Sequence, residues 1–270
     1  VGAGHPCRLA PRDEFLLTVI WLRHYWTQEA LGYFFDVSDT TVLRAIGRVL
    51  PVLEAAGRDT MRTDPPARRQ RLGVAEARRA YRELADLNDA ARVVDSFEQR
   101  VQRPTAYKEA DHHYSGKKKA HTLKVQVVVQ LGNGTVREVA PSVPGPCADP
   151  TVLRTSGAAE RLPAGARLLG DKAYRYKKTT ARDPVPPPQV AIPRRKPRGQ
   201  PLPPDDLRFN RAFASVRIIV EHTIRDLRIY QSLSQVDRHR RQQHTARVCA
   251  VIGLRARRCR PGRRDRHQVA

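Results

Sequence analysis

The succession of hydrophobic patterns predicts an α/β fold, a mixed sheet flanked by helices, preceded by a small all-α helix-turn-helix domain. Three observations carry that prediction. Up to residue 50, apolar residues recur at helical spacing and are punctuated by capping residues. From residue 91 the period changes: in HTLKVQVVVQL, 121–131, residues Leu123, Val125, Val127, Val129 and Leu131 alternate onto one face of a strand. Between Arg208 and Tyr230 the period returns to that of a helix, with Phe213, Val216, Val220, Ile224 and Leu227 on one stripe.

Taken in order, residues 12–24 predict a first helix with Phe15, Leu16, Val19, Ile20 and Leu22 inward. Thr27 caps a helix over 28–34, and Gly32 is small where the next helix must cross closely. Asp36 and Val37 form the turn, and Ser38 caps a second helix over 39–50. Asp tolerates the left-handed backbone that such a turn needs. The second helix would offer Thr40, Thr41, Arg44 and Arg48 to a major groove. The same pattern also fits a plain three-helix bundle without a nucleic-acid role. Residues 57–73, with paired Pro and several Arg, read as a linker, and 74–88 as a further helix.

The short apolar run ARVVDSF predicts a strand ending at Asp95. After the 121–131 strand, Gly132-Asn133-Gly134 is a tight turn and 135–143 pairs back as a hairpin. A helix over 149–160, a buried strand over 166–171 and a last strand at QVAIP follow. The Pro-rich stretch 183–204 otherwise reads as an exposed basic loop. Beyond Asp237 the chain is Arg-rich, with one apolar run, 248–254, able to dock on the core.

The 270 residues are 40% hydrophobic, enough for a real core, and carry a net charge of +23. A protein this basic points to a polyanionic partner, nucleic acid first. Only nine of the fifty basic residues are Lys, so an Arg-favouring codon bias contributes to the excess. Four scattered Cys without C-x-x-C spacing argue against a zinc site or a disulfide framework. They fit a reducing cytoplasm. No apolar run approaches a membrane span, and no signal-like segment opens the chain.

Asp95 and Asp171 each end a strand-like run, and Glu221 lies on the long helix with Arg217 one turn before it and Arg228 two turns after. Two strand-end aspartates and a helical glutamate can converge as a cage for divalent metal. Cleaving a phosphodiester requires an activated water or hydroxyl and stabilisation of the leaving oxygen, which two Mg²⁺ ions roughly 3.5–4 Å apart supply. Carboxylates without His or Cys suit Mg²⁺. Lys117, Lys118 and Lys119 beside Gly116, with Lys172 after Asp171, would contact phosphate. Asp149 is a fourth acid, for which capping the following helix is the expected role.

Taken together, VVDSFE, YSGKKKAHTLKVQVVV, GDKAY and FNRAFASVRIIVEHTIRDLR resemble the DDE transposases of bacterial insertion sequences, over nearly the whole chain. The resemblance implies an RNase H-like catalytic domain behind a helix-turn-helix that binds terminal inverted repeats. It also implies Mg²⁺-dependent DNA cleavage and strand transfer, for which Mn²⁺ can substitute. Asp95, Asp171 and Glu221 match the catalytic and metal-binding triad. Arg217, Glu221 and Arg228 keep the spacing of the family's last motif, as DNA-contacting residues around the acid. Ala214 replaces that motif's Tyr, Arg228 its Lys, and Ser96 and Ala173 stand where Gly is expected. The implied division is a helix-turn-helix domain at 10–56, a linker and connecting helix at 57–89, a catalytic domain at 90–236 and a basic C-terminal tail at 237–270. The partners implied are double-stranded DNA, at element ends and target, and a second copy of the chain on that DNA, in the cytoplasm near the nucleoid. Two alternatives share these residues: a metal-dependent nuclease of the same fold, and an inactive transposase-derived DNA-binding protein.

Overall fold

The structure, a computed structural model, describes residues 9–63, 84, 91–163, 166–175 and 190–258. The helix expected over 74–88 lies outside the described residues apart from Leu84, which is buried.

Three helices open the chain: α1 (Pro11–His24), α2 (Gln28–Phe35) and α3 (Asp39–Arg62). The capping chemistry read from the sequence is observed. Thr27 accepts from the Ala30 amide and Ser38 from the Thr41 amide, so each side-chain oxygen satisfies an otherwise orphaned donor. Asp36 sits in the left-handed region at φ 51°, ψ 48°. Gly32 is required by proximity, since a Cβ there would lie 2.5 Å from the Val37 carbonyl oxygen.

The face assigned to α1 needs correction. Phe15 and Leu16 are exposed, whereas Leu17, Trp21 and Leu22 are buried. The run FLLTVIWL is apolar on every side, so its pattern did not select a stripe. The second helix is longer than expected: residues 57–62, read as the start of a linker, are the last turns of α3. They stay helical because α7 (His244–Arg258) packs along them. At that crossing Gly57 and Gly253 face each other, and a Cβ on Gly57 would overlap the Cys249 carbonyl. The span read as a basic tail thus contains a helix whose residues 248–252 are buried.

The remaining elements are β1 (Arg92–Arg100), α4 (Tyr107–His113), β2 (Tyr114–Ser115), β3 (Ala120–Gln130), β4 (Val136–Val139), β5 (Val143–Pro144), α5 (Asp149–Ser156), β6 (Leu168–Leu169), β7 (Val190–Ala191) and α6 (Pro204–Arg228). They build a mixed sheet ordered β2-β3-β1-β6-β7, with β4 and β5 also paired to β3. β3 runs antiparallel to β1, while β1, β6 and β7 are parallel. The expected hairpin is present, Val127 opposite Val139, with a register shift between Val128 and Val129.

Both faces of the sheet are covered. Val93, Phe97, Val125, Val127 and Val129 pack against Phe213, Val216 and Val220 of α6 and against α7. Val94 and Val128 face the other way, onto Leu153 of α5 and onto Tyr174. The first of these cores also contains Trp21, Leu31, Ile46 and Leu53, so the N-terminal helices and the sheet share one continuous apolar interior. The architecture is the RNase H-like mixed sheet with flanking helices, preceded by a helix-turn-helix.

Candidate active site and nucleic-acid interface

The strand expected to end at Asp95 runs on to Arg100, because β3 pairs with it along its whole length, so Asp95 lies within β1 rather than at its end. Val93 is the parallel partner of Leu169; Asp95 lies two residues beyond Val93, and Asp171 two residues beyond Leu169, just past the end of β6, where its charge acts on Asp95. β6 stops at Leu169, so β1 continues past it with an open edge beside Asp95. Asp171 caps the short 3-10 turn Lys172–Tyr174, its Oδ1 accepting from the Ala173 amide at 2.8 Å.

Glu221 arrives from α6. Arg217 Nη2 lies 3.4 Å from Asp95 Oδ2 and 3.9 Å from Glu221 Oε1, so one guanidinium nitrogen stands between the strand acid and the helix acid. The Glu221 side chain is 58% exposed, against 21% for Asp95. The Arg217 Nε is buried and without a hydrogen-bond partner.

Burial pushes the Asp95 carboxyl up to about 6. The Ser96 amide and Arg217 pull it back, and the charges of Asp171 and Asp149 push it further. Burial and the same three carboxylates also raise the Tyr174 hydroxyl, which lies beneath them and accepts from Gln126 Nε2 at 3.0 Å.

Asp149 departs from its expected role as a helix cap. It occupies the first position of α5, and its Oδ1 accepts from Ser96 Oγ at 2.6 Å and lies 3.0 Å from Lys124 Nζ. Lys124 and Gln126 were legible only as the outward face of an alternating strand. Because α5 covers that face, both are buried and serve the site.

A cleft of about 740 Å³ is lined by the acids Asp95, Glu98, Asp149 and Glu221 and by the cations Lys117, Lys118, Lys124, Arg225 and Arg228; Asp171 is not among its lining residues. Lys119 ends the same turn in a left-handed conformation, and Lys172 is exposed beside Asp171. Among the four residues expected in the groove, Thr40 and Arg44 are exposed. Thr41 is half-buried and hydrogen-bonds the Ser38 hydroxyl at 3.0 Å. Arg48 is exposed too, and its guanidinium also pairs with Glu14 of α1, which braces the two helices.

The donor set suits a hard divalent cation, because it is all oxygen and because its mutual repulsion would be relieved by positive charge. The tight cage expected from the sequence is not drawn up, however. Among the described residues no three His, Cys, Asp or Glu side chains converge closely enough to hold a metal. The Arg217 guanidinium takes the place between two of the acids.

The mixed sheet with flanking helices behind a helix-turn-helix is consistent with the fold of a DDE nuclease. The family description "DDE superfamily endonuclease" matches residues 94–254, and "Helix-turn-helix of DDE superfamily endonuclease" matches residues 7–59. The chain belongs to the DDE superfamily endonucleases. It is also similar to a protein of Microchaete diplosiphon described as a probable transposase for insertion sequence element IS702, 24% identical over 259 residues, covering 93% of this chain and 82% of that protein. The likeness to insertion-sequence DDE transposases seen in the sequence is therefore supported by two family matches and one relative. No solved structure matches the chain. No described helix is long and apolar enough to cross a membrane.

Proposed function

We propose that the chain is a transposase that binds the terminal inverted repeats of an insertion sequence and performs metal-dependent strand cleavage and strand transfer. In this reading residues 10–56 bind DNA, 57–89 connect, 90–236 carry the chemistry, and the protein acts as a homodimer on DNA in the cytoplasm. The observation that supports the proposal is that Arg217 bridges Asp95 and Glu221 while the charge of Asp171 acts on Asp95, beside a cleft lined by Asp95, Glu221, Lys117, Lys118 and Arg228.

Asp95, Asp171 and Glu221 would hold Mg²⁺, with Mn²⁺ as a substitute. The metal supplies an activated water or hydroxyl and stabilises the departing oxygen. The chain's own residues do the rest. Lys117, Lys118 and Arg228 neutralise phosphates entering the cleft. Arg217, which pairs with Asp95 and Glu221, would position a DNA phosphate beside the acids. Asp149, held by Ser96 and Lys124, fixes the start of α5 against β3 so that the floor of the cleft keeps its shape. Thr40 and Arg44 meet the element end in the major groove.

Glu221→Gln tests the assignment. It should abolish cleavage of element-end DNA and leave the affinity for that DNA within about twofold, since Gln retains the size and removes the charge. Cleavage that persists in this variant removes Glu221 from the reaction. Labelled ends joined to a target duplex would separate strand transfer from simple hydrolysis.

A further inference from the structure

A second cleft, of about 650 Å³, adjoins the acid-lined one and shares Glu98, Lys118, Arg228 and Ser234 with it. Its own lining adds Arg100, Thr122, Gln235, Val236 and Arg238. Four cations thus face one carboxylate, and that carboxylate, Glu98, already accepts from the Thr122 hydroxyl at 2.8 Å. Among the described residues Arg100, Lys118 and Arg228 form no ion pair. Arg238 lies over the Tyr25 ring, 4.6 Å from its centre, and donates to the Tyr25 carbonyl, so this cleft ends against the N-terminal helices.

Unpaired cations gathered in a polar concavity are an anion-binding feature, and their row along the cleft suits a polyanion. At about 650 Å³ the concavity has the volume of a small-ligand site, enough to seat a few nucleotides of one strand. Among the described residues no aromatic side chain lines it. Base stacking of the usual single-strand type is therefore missing, and phosphate contact remains.

We propose that this second cleft is a track for single-stranded DNA, receiving the strand that separates from the duplex beside the phosphate held in the acid-lined cleft. The proposal rests on the transposase reading and names where the displaced strand goes. Recognition through phosphate alone makes the track indifferent to sequence.

Arg100 is the residue for the test, because it is exposed at the end of β1 and lines only the second cleft. The full-length chain would be titrated with two probes, an element-end duplex and the same duplex carrying a single-stranded extension at the cut site. Arg100→Gln should weaken binding of the extended probe about tenfold, the value of one charge-assisted phosphate contact, and leave the blunt duplex within about twofold. The slope of log affinity against log salt should fall by about 0.7 on the extended probe only. Arg100→Lys should recover most of the loss. Equal losses on both probes, or no loss on the extended one, overturn the track. A wild-type chain that binds neither probe overturns the transposase reading itself, so the two failures are distinguishable.

Discussion

Two buried aspartates in this molecule are treated in opposite ways. Asp237, 1% exposed, receives the Tyr25 hydroxyl at 2.9 Å, the His239 amide at 3.0 Å and the fully buried Arg247 guanidinium. Asp95, 21% exposed, receives the Ser96 amide at 2.8 Å and a long contact from Arg217, and faces two other acids. The first carboxylate is saturated with donors and joins α1, the end of β1 and α7. The second is left short of positive charge, as a group must be if it is to accept a cation later. Asp237 is satisfied by the protein itself, whereas Asp95 is left as the proposed metal-binding role requires.

Asp95→Asn should therefore separate activity from stability. Cleavage of element-end DNA should fall by on the order of 10⁴-fold or more, above about 5 kcal/mol of barrier. Stability at neutral pH should rise by on the order of 1–3 kcal/mol, because the penalised charge is gone. Urea unfolding that shows a loss instead would erase the contrast with Asp237. Asp237→Asn should do the reverse, costing about 3–5 kcal/mol in the same unfolding measurement, since Arg247 would stay buried without its counter-charge.

A smaller effect concerns His244, buried between Gln99 and Ser142 at 2.8 Å from each. Burial lowers its pKa to about 4, with Arg247 adding to the drop and Asp237 opposing it. The folded imidazole resists protonation while the unfolded one titrates near 6.5. The stabilisation is thus full above about 6.5 and is lost as pH falls toward about 4, up to about 3 kcal/mol in all. Asp95 works the other way in this window, because its folded carboxyl holds its proton to about 6. The His244 contribution is isolated as the difference between wild type and His244→Gln in unfolding experiments at pH 7 and pH 5. A pH-independent difference would mean that the ring is not kept neutral.

Local chemistry was the most legible part of the sequence. Thr27, Asp36 and Ser38 act on amides within a few residues of themselves, so their spacing was sufficient. Asp95 and Asp171 were legible because each closes an apolar run in the sequence, although β1 continues past Asp95, and the short parallel pairing of β1 with β6 starts the two segments toward each other. Contacts made across the chain left weaker marks. Nothing near residue 57 announces that α7 will keep it helical, nor anything near Arg247 that it is a core residue. Asp149 resembles any acid at a helix start, and only the fold brings Ser96 and Lys124 to it. Arg48 has the charge and spacing of a groove contact, and only the position of Glu14 reveals its other partner.

The crossing of Gly57 with Gly253 has a consequence for the order of events during synthesis. The helix that begins at the DNA-reading turn ends beneath a segment translated almost two hundred residues later. Its far half has no lid until the ribosome has made that segment. The N-terminal helices and the sheet therefore reach their final packing together, and on the proposed function the two activities would mature together as well.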